Sequence, residues 1–176
     1  FFTSNTSALF INSTFAAFSF ISMNDPYNLP IYPIATPGSR FNIRPNDTFY
    51  LQAGVFEGNN GSQTQNKNGF DFRLNGASGV LIMSEVGYLL NQGTDDKGLS
   101  GTYKLGSFVH TGRFDTWVSR TQNALNASSL DEQTPNYGIY GIIDQQVYKR
   151  DSMSISAFLR GGYAPSQTNI VEPYLD

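Results

Sequence analysis

The side chains best equipped for chemistry in this 176-residue chain stand two or four residues apart, in short series. Arg40, Asn42 and Arg44 form one series, and Tyr50, Gln52 and Phe56 lie along a second. Glu85 belongs to a third, Lys104, Phe108 and His110 to a fourth, Asp144 and Gln146 to a fifth, and Arg160 to a sixth. Two is the side-chain period of a β-strand, whose successive residues point to opposite faces. The spacing therefore predicts one sheet face carrying guanidinium, ammonium, carboxylate, amide and aromatic groups together. Alternation alone also yields a plain solvated face. Opposite charges on it, Glu85 and Lys104 for example, can pair across strands and stiffen the wall.

His110 is the single histidine and invites acid–base chemistry. A catalytic serine needs a base within hydrogen-bond reach and an orienting acid. Serines and acids are plentiful, but no GxSxG elbow or other nucleophile signature occurs. A structural or face-lining His110 is the simpler reading, and no catalytic residue is expected. One His with no Cys argues against zinc, so metal ligands and cofactors are expected to be none. Gly54, Gly87, Gly106 and Gly138 do not form a phosphate loop; single glycines inside strands suggest bends or close ring packing.

The elements that must position these groups are six strands, predicted at 39–44, 48–57, 79–91, 102–112, 137–149 and 153–164. Each alternates: Phe41 and Ile43 oppose the Arg40 series, and Tyr103, Leu105 and Val109 oppose the Lys104 series. Leu81, Met83, Ile142 and Gln145 break the pattern. The links follow parity. Pro45–Asp47, 92–101 and Arg150–Ser152 are the tighter turns, whereas 58–78 and 113–136 are long and polar, the latter with a helical patch near 121–132. A soluble sandwich has no reason to sort its loops in this way. A barrel threaded through a membrane does, with short turns on one side and long loops on the other.

Composition agrees. Only 14% of residues are charged and 14% are aromatic, with 17 glycines, which suits a sheet wet on one side and greasy on the other. The net charge of −3, with no basic run, leaves no nucleic-acid footprint. No stretch reaches the ~18 apolar residues of a membrane helix, a test that does not touch barrels. Several strands approach the ~9–11 residues that cross a bilayer when tilted. Tyr50, Tyr88, Tyr103, Trp117, Tyr137, Tyr148 and Tyr163 gather near strand ends, as an interfacial girdle would require. The Pro-rich stretch 24–38 excludes helix and central strand and reads as a pinned loop turned toward the polar side. The ends, Phe1-Phe2 and Tyr174-Leu175-Asp176, read as those of an internal fragment.

Blocks of the sequence are familiar in order. Asn28–Pro33 followed by Pro37–Phe41, then Phe49–Phe56, Glu85–Tyr88, Gly101–Gly106, His110–Phe114, Gly138–Tyr140 with Asp144–Tyr148, and Phe158–Arg160 resemble the carbohydrate-selective outer-membrane porins of the OprB type. The resemblance spans roughly residues 8–170.

It implies an all-β fold, an antiparallel transmembrane β-barrel of about sixteen strands, of which this chain supplies about six. All of 1–176 then belongs to one barrel domain, with 1–37 a partly helical loop segment, 38–164 the strands and 165–176 the start of the next loop or strand. The implied activity is passive diffusion of glucose-like monosaccharides across a Gram-negative outer membrane, with long loops outward and short turns in the periplasm. The polar series becomes the sugar path, with Arg40, Glu85, Asp144 and Arg160 lining or bracing it. Implied partners are monosaccharides and outer-membrane lipid, with a homo-oligomer left open. Two other readings remain: a soluble or surface sugar-binding β-sandwich, and an outer-membrane enzyme using His110. In a sandwich the Val/Leu/Ile/Phe face is buried against a second sheet; in a barrel it is exposed to lipid.

Overall fold

Alternation at Phe41 and Ile43, and again at Leu51 and Val55, builds a strand pair hinged at Pro45–Asp47. The Asn46 side chain closes that hinge, accepting hydrogen bonds from the Thr48 and Phe49 backbone N–H groups at 3.0 and 2.8 Å. The same rhythm continues through the chain. A computed structural model describes residues 1, 3–11, 19–24, 36–59, 79–93, 95–116, 132–133 and 135–176. The strands are β1 (Gly38–Ile43), β2 (Phe49–Glu57), β3 (Val80–Leu90), β4 (Gly101–His110), β5 (Phe114–Asp115), β6 (Glu132–Gln133), β7 (Asn136–Arg150), β8 (Met153–Tyr163) and β9 (Pro173–Leu175). A 3-10 turn at Ser7–Leu9 and a short helix, α1 (Ser19–Asn24), precede them.

Seven strands form one sheet in the order β1-β2-β3-β4-β7-β8-β9, and β5 pairs with β6 alone. Every neighbouring pair is antiparallel. The six strands read from the sequence all appear, with ends within two residues of those predicted. The links 45–47, 92–101 and Arg150–Ser152 lie at one end of the sheet, and those beginning at 58 and 113 at the other. Most of 58–78 and of 113–136, with the helical patch, lies outside the described residues, as does the Pro-rich 24–38 apart from Asn24 and Thr36–Gly38.

One face is apolar and open. Phe41, Leu51, Ile82, Leu105, Ile139, Ile155 and Leu159 stand exposed on it, Leu105 at 61%. Phe49 stacks on Tyr88 (5.1 Å between ring centres) and Tyr88 on Tyr103 (5.9 Å) near the short-turn end. Tyr137 and Tyr163 stand exposed near the long-loop end. These rings have the placement of interfacial girdles. Tyr50 does not join them: it is 8% exposed and lies on the other face. Trp117 is outside the described residues.

The opposite face is partly sealed by the chain's own first residues. Phe20 and Ile21 of α1 pack with Leu81, Met83, Phe108, Tyr140, Ile142 and Ala164, all buried. This accounts for three of the residues that break alternation. Leu81, Met83 and Ile142 keep strand parity but meet protein on the inner side. Gln145, on the outer side, is satisfied by Tyr103 Oη, which donates to it, and by donating to the Ser100 and Gln146 carbonyls. A bulge between Gln146 and Tyr148 then shifts the register, so that Tyr148 pairs with Ile155.

Candidate functional site

The inner face is organised around Glu85, at the middle of β3 and only 3% exposed. Its cross-strand neighbours are Gln52 on β2 and Gly106 on β4. Gln52 donates to Oε1 at 2.6 Å, and Tyr50 Oη to the same oxygen at 2.8 Å. Tyr140 Oη donates to Oε2 at 2.5 Å. Tyr140 sits on β7, so its ring must cross β4 to arrive. Gly106 allows this, because a Cβ there would lie 2.2 Å from the Tyr140 ring. Gly87 does the same for Tyr50, with a 2.0 Å approach, and Gly138 for Phe108 at 2.4 Å. Gly54 lies under the Phe56 ring. These four strand glycines therefore serve ring packing.

Around this carboxylate lies an open polar recess of about 390 Å³. It is lined by Arg40 and Asn42 of β1 with Arg44 just after it, Tyr50 and Gln52 of β2, Glu85 and Leu89 of β3, and Thr102 and Lys104 of β4, with Gln92 and residues Phe1, Thr3 and Asn5. Lys104 pairs across the ladder with Gly87 and Ile142, and its Nζ donates to the Thr3 carbonyl at 2.6 Å. Arg40 and Arg44 are exposed.

Over β7 and β8 the same face is covered. Asp144 accepts hydrogen bonds from Ser4 Oγ at 2.6 Å and the Asn5 N–H at 3.0 Å. Arg160 is fully buried. Its Nε donates to Asp176 Oδ1 at 2.9 Å, Nη2 donates to Oδ2, and Nη1 reaches Ser7 Oγ at 3.5 Å. Its guanidinium also lies 5.5 Å from the Phe158 ring centre. Buried charges need such partners. Asp144 and Arg160 thus hold residues 4–7 against the sheet.

Near the long-loop end the inner side chains are fully occupied. His110 Nε2 contacts the Gly58 carbonyl at 2.8 Å, Nδ1 accepts from the Gly112 N–H at 3.0 Å, and Phe114 packs edge-on at 4.9 Å. With both ring nitrogens bound to backbone, His110 fixes the loops that leave β2 and β4. Asn136 Nδ2 donates to the Asn24 carbonyl at 3.1 Å and to Asn169 Oδ1 at 2.9 Å. Asn24 in turn donates to the Val171 carbonyl at 2.7 Å. These amides pin α1 to the 165–171 segment. Phe108 is in the core and Phe56 packs against it. Gln146 Oε1 accepts from the Ser100 N–H at 3.4 Å, near a turn.

All thirteen side chains read from the sequence share the inner parity of the ladder. Seven of them, Arg40, Asn42, Arg44, Tyr50, Gln52, Glu85 and Lys104, meet at the recess. The other six support the wall or its covering segment. Sequence spacing missed Tyr140 as a partner of Glu85, although its parity with Asp144 places it on the inner face. Thr102 shares the parity of Lys104 and could have been found in the same way. Thr3, Asn5 and Gln92 carry no periodic signal. Among the described residues, no group of three or more His, Cys, Asp or Glu side chains is placed to hold a metal.

Comparison with known proteins agrees with this geometry. The model of the carbohydrate-selective porin, OprB family, matches residues 1–176. The chain is similar to the high-pH structure of Pseudomonas putida OprB, with a TM-score of 0.65 and 25% identity, over 82% of this chain and 34% of that one. The chain thus spans about a third of that protein's length. No curated protein matches the sequence.

Proposed function

Because this chain belongs to the OprB family of carbohydrate-selective porins, and so to the outer membrane of a Gram-negative bacterium, we propose that it forms part of the wall of a passive channel for glucose-like monosaccharides. One observation carries the reading: the polar recess at Glu85 lies directly behind an exposed apolar face. Lipid covers the apolar side between the two sets of rings, and solute passes on the other. A sugar presents hydroxyls around a weakly apolar ring. Arg40, Asn42, Arg44, Gln52, Glu85 and Lys104 supply donors and acceptors for the hydroxyls, and Tyr50 supplies a flat ring. Tyr50, Gln52 and Tyr140 orient the Glu85 carboxylate before any solute arrives, and the exposed β1 side chains keep binding weak enough for release. Asp144 and Arg160 brace the wall by holding the covering segment in place, and Phe56, Phe108, His110 and Gln146 contribute to the wall itself.

A soluble sandwich fits less well. It requires a second sheet over Phe41, Leu51, Leu105 and Ile139, and among the described residues nothing buries them. The test is reconstitution into liposomes of the protein expressed from its complete gene, with swelling followed in isotonic monosaccharide. Glucose should enter well ahead of a trisaccharide. Liposomes that swell equally slowly with and without the protein would sink the proposal.

A further inference from the structure

Building on that sugar-channel reading, we propose that the recess favours acidic monosaccharides, aldonates and uronates with one carboxylate, over neutral sugars of the same size. The charge inside it is unbalanced. Among the described residues, three cationic side chains, Arg40, Arg44 and Lys104, line the recess against one side-chain carboxylate, Glu85. This positive excess sits in a chain whose formal net charge is −3, so it is a local arrangement and not a reflection of composition.

The cations are also available. Among the described residues, Arg40 and Arg44 make no hydrogen bond or ion pair, and both are exposed. Lys104 donates its hydrogen bond to a neutral carbonyl, that of Thr3, although its charge also acts on Glu85. Glu85 has both carboxylate oxygens occupied by neutral donors from Tyr50, Gln52 and Tyr140. Arg160 shows the opposite arrangement, fully buried with its charge matched by Asp176. A guanidinium fork matches a carboxylate in two parallel hydrogen bonds. Arg40 and Arg44 stand four residues apart, on β1 and just past its end, with the Asn42 amide between them and Gln52 opposite Asn42. A solute carboxylate can therefore meet a guanidinium while its hydroxyls meet amides. A wall of low dielectric behind a charged cleft concentrates ions of opposite sign.

The test uses the protein expressed from its complete gene. In planar bilayers under a potassium chloride gradient, the zero-current potential should have the sign of anion preference. In liposomes, labelled gluconate should enter at least as fast as labelled glucose at low salt. The Arg40→Gln/Arg44→Gln double variant should lower the gluconate-to-glucose uptake ratio by about fivefold, the scale of partly exposed ion pairs. Molar salt should lower the same ratio in the wild type. A cation-selective wild type, or glucose outpacing gluconate in it, overturns the inference while leaving the sugar channel standing. If neither solute enters although salt conducts, the sugar-channel reading falls and the inference with it.

Discussion

The inner face over β7 and β8 and the inner face over β1, β2 and β3 are built from the same residue types and are used differently. On β7 and β8, Asp144 and Arg160 are consumed by the chain itself, through Ser4, Asn5, Ser7 and Asp176, beneath a covering segment. At β1, Arg40 and the following Arg44 line an open recess and, among the described residues, make no hydrogen bond or ion pair. Glu85 lies between the two regimes, buried yet on the recess wall. A charged residue at inner parity is thus a support where chain covers it, and lines an open recess where chain does not.

The largest test of this contrast lies on the covered side. Asp176→Asn leaves the Arg160 guanidinium buried without its counter-charge. A loss of about 3–5 kcal/mol is expected, read from the urea midpoint in detergent; a midpoint close to that of the wild type would mean that water already reaches Arg160. Next in size is a charge on the outer face. Leu105→Arg, at an exposed outer position midway along β4, should destabilise the membrane-inserted form by about 2–4 kcal/mol. The readout is unfolding from vesicles, and a neutral result would remove lipid from that face.

At the boundary, Gly106→Ala drives a Cβ into the Tyr140 ring and pulls its hydroxyl from Glu85. Overpacking of this kind costs about 1–3 kcal/mol. Sugar uptake should fall with it, and an unchanged uptake would mean that the Tyr140 contact is not needed to present Glu85. The smallest effect belongs to the open side. Arg44→Gln should shift unfolding by less than about 0.5 kcal/mol, because nothing among the described residues holds Arg44; a larger shift would show it to be structural.

Much of this was legible in the sequence because a strand has only two faces. Alternation placed all thirteen inner side chains on one side, and the parity of the links located the two ends of the sheet. The same alternation failed to explain Leu81, Met83 and Ile142, whose apolar contacts come from Phe20 and Ile21, more than fifty residues away in the chain. Nor could spacing separate Arg40 from Arg160. The difference between them is a partner at Asp176 and a covering segment near Ser7, neither of which has a periodic signature. Tyr50 reads equally as girdle or lining, and the Glu85 carboxylate two strand positions away decides it. Tyr140 was hidden by distance, since its reach over β4 depends on one missing Cβ at Gly106.

On the proposed sugar path, Glu85 and the recess around it touch the solute. Single-channel conductance of the protein expressed from its complete gene, titrated with glucose, tests this directly when wild type and Glu85→Gln are compared. Glucose should reduce the wild-type current in a saturable way, and Glu85→Gln should require severalfold more glucose for the same reduction. Identical titrations for the two proteins would contradict the account.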